Sequence, residues 1–206
     1  MKKYNAIIFD LGGVILNLNY LLTINEFKRL GIENSNVFYS KSQQSNIFNQ
    51  LEIGAISSKV FINNIKKNIP KSTEKELIYA WNLMLLDLPK VRLDYIKALK
   101  KKYKIFLLSN TNAIHINAIK NKLGAQEWMN FHNLFDKVYF SHIIGIRKPD
   151  QEAFKIILKE NRLNPKEVLF IDDSLQHIKA AKKLGLNYYH LKFGDELTSI
   201  IPDIAL

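Results

Sequence analysis

The sequence predicts a parallel, doubly wound α/β sheet that is interrupted early by a helical insertion. Three features predict it: five short segments rich in branched and aromatic residues, helical patterns between successive segments, and one long interval that has helical patterns but no buried strand. At 206 residues the chain suits one full domain with a smaller one appended, taking roughly 150 residues per domain.

The predicted strands are Asn5 to Leu11, Tyr103 to Leu108, Lys137 to Ser141, Val168 to Ile171 and Tyr188 to Leu191. Their near-continuous apolar character suggests strands covered on both faces. Asp150 can cap the amphipathic run Glu152 to Asn161, and Gly185 stops a helix beginning near Ser174. Pro89 suits the start of a helix carrying Val91, Leu93, Ile96 and Leu99.

The interval that breaks the alternation has helical patterns at Leu21 to Leu30, Gln43 to Leu51, Lys59 to Ile69 and Thr73 to Leu85. Thr73 and Glu76 form a capping-box signature for the last, with Leu77, Ile78, Trp81, Leu83 and Met84 facing inward. Residues 17–86 are therefore expected to form a helical cap over the ligand end of a core made of residues 1–16 and 87–206.

Composition excludes several classes. Apolar types make up 47% of residues and charged types 24%, so the chain is too apolar for intrinsic disorder. It has no cysteine, which excludes disulfides, thiolate metal sites and thiol nucleophiles. Met1-Lys2-Lys3 before Ala6-Ile7-Ile8-Phe9 imitates a secretory signal, but Asp10 interrupts it and a buried strand is the better reading. No apolar run approaches the roughly 20 residues of a membrane helix. A cytoplasmic protein without a membrane partner is expected, with a monomer favoured. The net charge of +11 is spread over many segments, which suits solvated helix faces and anionic small substrates better than nucleic acid.

The chemistry gathers at strand ends. The first strand runs into Asp10-Leu11-Gly12-Gly13, a carboxylate followed by glycines that let backbone approach a ligand. The second runs into Ser109-Asn110-Thr111-Asn112, a hydroxyl and the amides of a helix start, suited to an anion. The fourth runs into Asp172-Asp173-Ser174, and paired acids near a third acid predict a hard divalent ion, magnesium by preference. Before it, Arg147-Lys148-Pro149 can send an ammonium to the same crevice. Such charges balance when a phosphoryl group is present.

These four segments, in this order, resemble the signature of the haloacid dehalogenase-like hydrolase superfamily, over nearly the whole chain. The likeness is nearest to the branch of small sugar-phosphate phosphatases resembling glucose-1-phosphate phosphatase. It rests on Asp10 to Gly12, Leu108 to Asn112, Arg147 to Pro149, and Gly54 to Ser57 followed by Phe61.

The resemblance implies a Rossmann-like core, an α-helical cap and a reaction through an aspartyl-phosphate. Asp10 would be the nucleophile. Magnesium would be held by Asp10, the Gly12 carbonyl and Asp173, with Asp172 as a further or water-mediated ligand. Ser109 and the Asn110 amide would bind the transferring oxygens, and Lys148 would steady Asp10 and the developing charge.

The chain departs from that pattern twice. Gly12 stands where most phosphatases of the superfamily carry a second aspartate as general acid and base, and His177 stands where relatives often have asparagine. His115, about one helical turn beyond Thr111, is a candidate proton donor; Phe38, Tyr39 and Trp81 are candidates to line the substrate pocket. The leading expectation is a magnesium-dependent phosphatase of a small phosphorylated metabolite, plausibly a sugar phosphate. The rivals are a haloacid dehalogenase, a phosphomutase, a phospho-acceptor receiver and a phosphate-binding pseudoenzyme weakened by Gly12.

Overall fold

The computed structural model describes residues 4–32 and 46–200. Five parallel strands form one sheet: β1 (Ala6–Phe9), β2 (Lys104–Ser109), β3 (Lys137–Phe140), β4 (Val168–Asp172) and β5 (Asn187–His190), in spatial order β3-β2-β1-β4-β5. The chain starts in the middle strand and winds outward to both edges, so β1, β2 and β4 end side by side at the centre of one edge of the sheet. A crevice outside the carboxyl ends of the strands is where such sheets bind ligands.

Period-two alternation divides each central strand between two cores. Ile7, Phe9, Ile105, Leu107, Leu169 and Ile171 pack on one face, with Ile96 and Leu99 of α5 (Lys90–Lys100) and Ile116 of α6 (Ala113–His132). Ala6, Ile8, Phe106, Leu108, Val168 and Phe170 pack on the other, with Phe154 and Ile157 of α8 (Gln151–Glu160) and Ile178 of α9 (Leu175–Lys183). A short helix, α7 (Ser141–Ile144), follows β3.

The expectation that all five strands are covered on both faces holds for the middle three only. β5 is an edge strand with Tyr188 41% exposed, and Lys137 at the start of β3 is exposed. Val91 is exposed as well, and Tyr95 takes the buried position on α5.

Between β1 and α5 lie α1 (Tyr20–Arg29), α2 (Asn46–Glu52), α3 (Ser58–Lys66) and α4 (Glu74–Asn82). They share a separate apolar cluster that includes Phe27, Phe48, Phe61, Leu77 and Trp81. The Thr73–Glu76 capping box is present, with Thr73 N–H donating to Glu76 Oε2 at 2.7 Å. Leu77, Trp81 and Met84 are buried as expected; Ile78 and Leu83 are half-buried, and Ala80 faces the cluster instead.

Two passages of chain join this unit to the sheet, and they are tied to each other. Asn17 N–H donates to the Asp87 carbonyl and Leu86 N–H to the Asn17 carbonyl, while Leu18 and Leu85 form an antiparallel bridge. Among the described residues no helix is long and apolar enough to cross a membrane.

Candidate active site

The ends of β1, β2 and β4 carry Asp10, Ser109 and Asp172, all buried. Asp10, Asp172 and Asp173 each offer a carboxylate oxygen, and these atoms lie within 4.8 Å of one another. Lys148, fully buried, sits between two of them: its Nζ is 2.8 Å from Asp10 Oδ1 and 2.7 Å from Asp172 Oδ2. The sequence thus brings four of its predicted site residues into one cluster, although they are separated by most of the chain's length.

Asp172 is engaged on both oxygens. Oδ1 accepts from Ser174 N–H at 2.7 Å and Oδ2 from Lys148, while His177 Nδ1 lies 3.0 Å from each. His177, at the position where relatives often have asparagine, thus supports the Asp172 side chain.

Electrostatics separates Asp10 from Asp172. Burial pushes Asp10 up to about 7, against the pull of Lys148 and with the help of Asp172 and Asp173. Burial works in the same direction on Asp172, but Lys148 and His177 outweigh it and hold that carboxyl down at about 2. Lys148 loses more to burial than to any other single influence, yet its two carboxylate partners together keep it above the ordinary lysine range. Lys148 contacts two of the three clustered carboxyl groups. Three carboxylate oxygens this close together suit a hard cation with oxygen ligands.

The glycines after Asp10 are required by close approach. Gly13 has φ +77°, and a Cβ there would stand 2.7 Å from Asp173 Oδ2, so a side chain would both strain the turn and push the acid away. A Cβ on Gly12 would meet Leu18 Cδ1 at 2.6 Å. The space where many relatives hold a catalytic aspartate is taken here by a leucine of the first connecting passage.

The phosphate-binding expectation needs one correction. Thr111 N–H, counted among the free amides of the helix start, is used: it donates to Ser141 Oγ at 2.9 Å, and Ser141 Oγ–H donates back to the Thr111 carbonyl. Asn110 and Lys148 make a second reciprocal pair, Asn110 Nδ2–H to the Lys148 carbonyl at 2.8 Å and Lys148 N–H to Asn110 Oδ1 at 2.9 Å. Asn112, rather than Ser109 or Asn110, caps α6 by accepting from His115 N–H. Ser141 was not foreseen, because a lone serine at the start of a short helix carries no signal.

The cleft holding Asp10, Ser109 and Asp173 has a volume of about 110 Å³ and is also lined by Glu52, His115 and Arg147. Arg147 reaches the inserted helices: its Nε is 2.8 Å from Glu52 Oε2, and Nη1 hydrogen-bonds Asn49. The sequence left Arg147 either solvated or in contact with the cap; the structure shows the second, with partners that carried no local signal. Trp81 lies in the apolar cluster of the insertion, and Phe38 and Tyr39 lie outside the described residues. His115 is buried, and burial drives it down to about 3, which keeps the ring neutral near pH 7. A larger cavity of about 440 Å³ lies at the connecting passages, lined largely by leucines such as Leu83, Leu86 and Leu123 and by none of the clustered acids. Size therefore does not mark the reactive site here.

The chain is similar to known proteins along most of its length. A family model described as haloacid dehalogenase-like hydrolase matches residues 4–185. The D-ribitol-5-phosphate phosphatase of Bacteroides thetaiotaomicron is 31% identical over 200 residues, covering 95% of this chain and 97% of its own. A solved HAD family enzyme from the same organism, in complex with magnesium and inorganic phosphate, superposes with a TM-score of 0.85 at 33% identity, over 96% of this chain and 99% of its own. A HAD-like family hydrolase from Porphyromonas gingivalis gives a TM-score of 0.83 at 29% identity, over 98% and 96%. With the family model spanning nearly the whole sheet and its insertion, the chain belongs to the haloacid dehalogenase-like hydrolases.

Proposed function

We propose that this hydrolase is a magnesium-dependent phosphatase that cleaves a small phosphorylated polyol or sugar-like metabolite, with Asp10 as nucleophile and residues 17–86 as its cap. The observation that carries the reading is the convergence of Asp10, Asp172 and Asp173, with Lys148 in contact with two of them. The relatives support the substrate class and the ion: one is a D-ribitol-5-phosphate phosphatase, and a solved one holds magnesium and inorganic phosphate.

The donor set fits magnesium, being carboxylates and a backbone carbonyl with no sulfur. Asp10, Asp173 and the Gly12 carbonyl would hold the ion; Asp172, with both oxygens engaged, would act through a water or by holding Lys148. The bound ion would offset charge on the phosphoryl oxygens and keep Asp10 ionised.

The remaining work belongs to the chain. The Asp10 carboxylate attacks phosphorus, the P–O bond to the alcohol breaks with the departing oxygen taking a proton from solvent, and an aspartyl-phosphate forms. Water then attacks the same phosphorus and gives up a proton to solvent, the bond to Asp10 breaks, and phosphate leaves with the carboxylate restored. Lys148 fixes Asp10 through Oδ1 and adds positive charge beside the transferring group; Ser109 and the Asn110 amide face the phosphoryl oxygens. The Ser141–Thr111 and Asn110–Lys148 pairs hold those loops to each other. Gly12 supplies no proton to the leaving alcohol, so turnover should favour esters whose alcohols leave easily.

The test is phosphate release from a panel that includes ribitol 5-phosphate, with magnesium or EDTA, for the native protein and Asp10→Asn. Release that needs magnesium and is lost in the variant is the expected result. Equal release by the variant, or none by the native protein, overturns the reading. Halide release from a haloacid without metal would establish the dehalogenase, and an isomerised product the mutase.

A further inference from the structure

His115 belongs to no step above, yet it is a wall of the cleft that holds Asp10. It stands on the first turn of α6, immediately after the segment proposed to bind phosphate, and it is 8% exposed. The insertion grips its ring on two sides. The Trp81 indole stacks on it, centroids 4.8 Å apart at 18°, and Asn82 Oδ1 lies 2.9 Å from Nδ1.

That second contact fixes the tautomer. A carboxamide oxygen only accepts, so Nδ1 carries the ring's proton and Nε2 keeps a lone pair. Of the two nitrogens, Nε2 is the one left for a ligand in the cleft. Burial holds the ring neutral across the physiological range, so this lone pair is a constant acceptor.

Resting on the phosphatase reading, we propose that His115 selects the alcohol half of the ester: Nε2 accepts a hydrogen bond from a hydroxyl of the leaving group, which makes hydroxylated phosphates preferred over plain alkyl ones. The position supports this. The acids and Lys148 surround the phosphoryl end, whereas His115 is a cleft residue held against the insertion through Trp81 and Asn82, on the side toward which the rest of the ester would extend. A polyol or sugar presents donors there; an alkyl chain presents none. His115 is thus a specificity-determining residue, and its neutral ring takes no part in proton transfer.

The experiment compares ribitol 5-phosphate with n-butyl phosphate in the magnesium-loaded native protein, His115→Phe and His115→Gln. Phenylalanine keeps a stacked ring without the lone pair; glutamine restores an acceptor. In His115→Phe the KM for ribitol 5-phosphate is expected to rise about tenfold, the worth of one hydrogen bond, with its kcat and both constants for butyl phosphate unchanged. His115→Gln should recover most of the difference. A change shared by both esters, or seen with neither, overturns the proposal. If the native protein hydrolyses neither ester, the phosphatase reading falls by itself. Calorimetric titration of the same two compounds then decides this one: selective loss of ribitol 5-phosphate affinity in His115→Phe supports it, and equal affinities overturn it.

Discussion

The reactive edge of the sheet and the helical insertion above it are held by opposite kinds of force. At the sheet edge, buried polar groups satisfy one another: Lys148 binds two carboxylates, Asp172 is held on both oxygens, and two reciprocal pairs lock the loops. In the insertion, rings do the same work without charge. Phe48, Phe61 and Trp81 meet pairwise with centroids 5.2 to 5.4 Å apart. Polar networks are exacting, since each member left unpaired costs its full desolvation; apolar clusters lose stability in proportion to what is removed. The difference predicts precision below and tolerance above, a sensible division between a constant reaction and a variable substrate.

The largest test strikes the polar network. Lys148→Met keeps the side chain's bulk and removes its charge, leaving Asp10 and Asp172 buried against each other. Breaking a buried pair in this way costs roughly 3–5 kcal/mol, with phosphatase turnover lost as well. Because a cation would replace some of the missing charge, thermal melts should show a greater loss in EDTA than in magnesium. An equal loss in both would mean that the acids do not share an ion.

These two regions were also unequally legible in the sequence. The core spoke through short-range signals: Asp10, Ser109 and the Asp172–Asp173 pair each stand at or beside a strand end, so a doubly wound sheet brings them together, and Lys148 joins them from the loop between α7 and α8. Each predicted strand agrees with the observed one to within two residues. Edge position was not legible, because exposure of Tyr188 depends on which strand ends the sheet, and no local pattern records that. In the insertion the capping box of Thr73 and Glu76 was readable because both partners lie within one turn. The partners of Arg147 in the insertion and the grip of Trp81 and Asn82 on His115 were not, since they join residues 33 or more positions apart. The occupation of Gly12's side-chain space by Leu18 is of the same kind: a glycine says that room is scarce, never what fills it.

The second test strikes the ring cluster. Phe61→Ala should lower stability by roughly 3–5 kcal/mol, the usual cost of emptying a buried aromatic site. Here the loss should be independent of magnesium, in contrast to Lys148→Met. Turnover of a small ester at a temperature where the variant remains folded should fall far less than in the lysine variant. A magnesium-dependent loss would show that the insertion and the acidic cluster form one cooperative unit.

The smallest effect should come from the ion pair between the regions. Arg147 and Glu52 are 23% and 12% exposed, and Arg147 also bonds Asn49, so the pair joins α2 of the insertion to the loop that carries Lys148. A partly solvated pair of this kind contributes about 1 kcal/mol or less. In Glu52→Gln the melting temperature should fall by no more than about 4 °C for a chain of this size. A double-mutant cycle with Arg147→Gln isolates the pair from the hydrogen bond to Asn49. Coupling near or below 1 kcal/mol means that the insertion is seated by the connecting passages and by the His115 contacts, leaving the bridge free to part when substrate enters. Coupling of several kcal/mol would make the bridge a fixed strut, and the contrast between a rigid lower site and a tolerant upper one would fail at the point where the two meet.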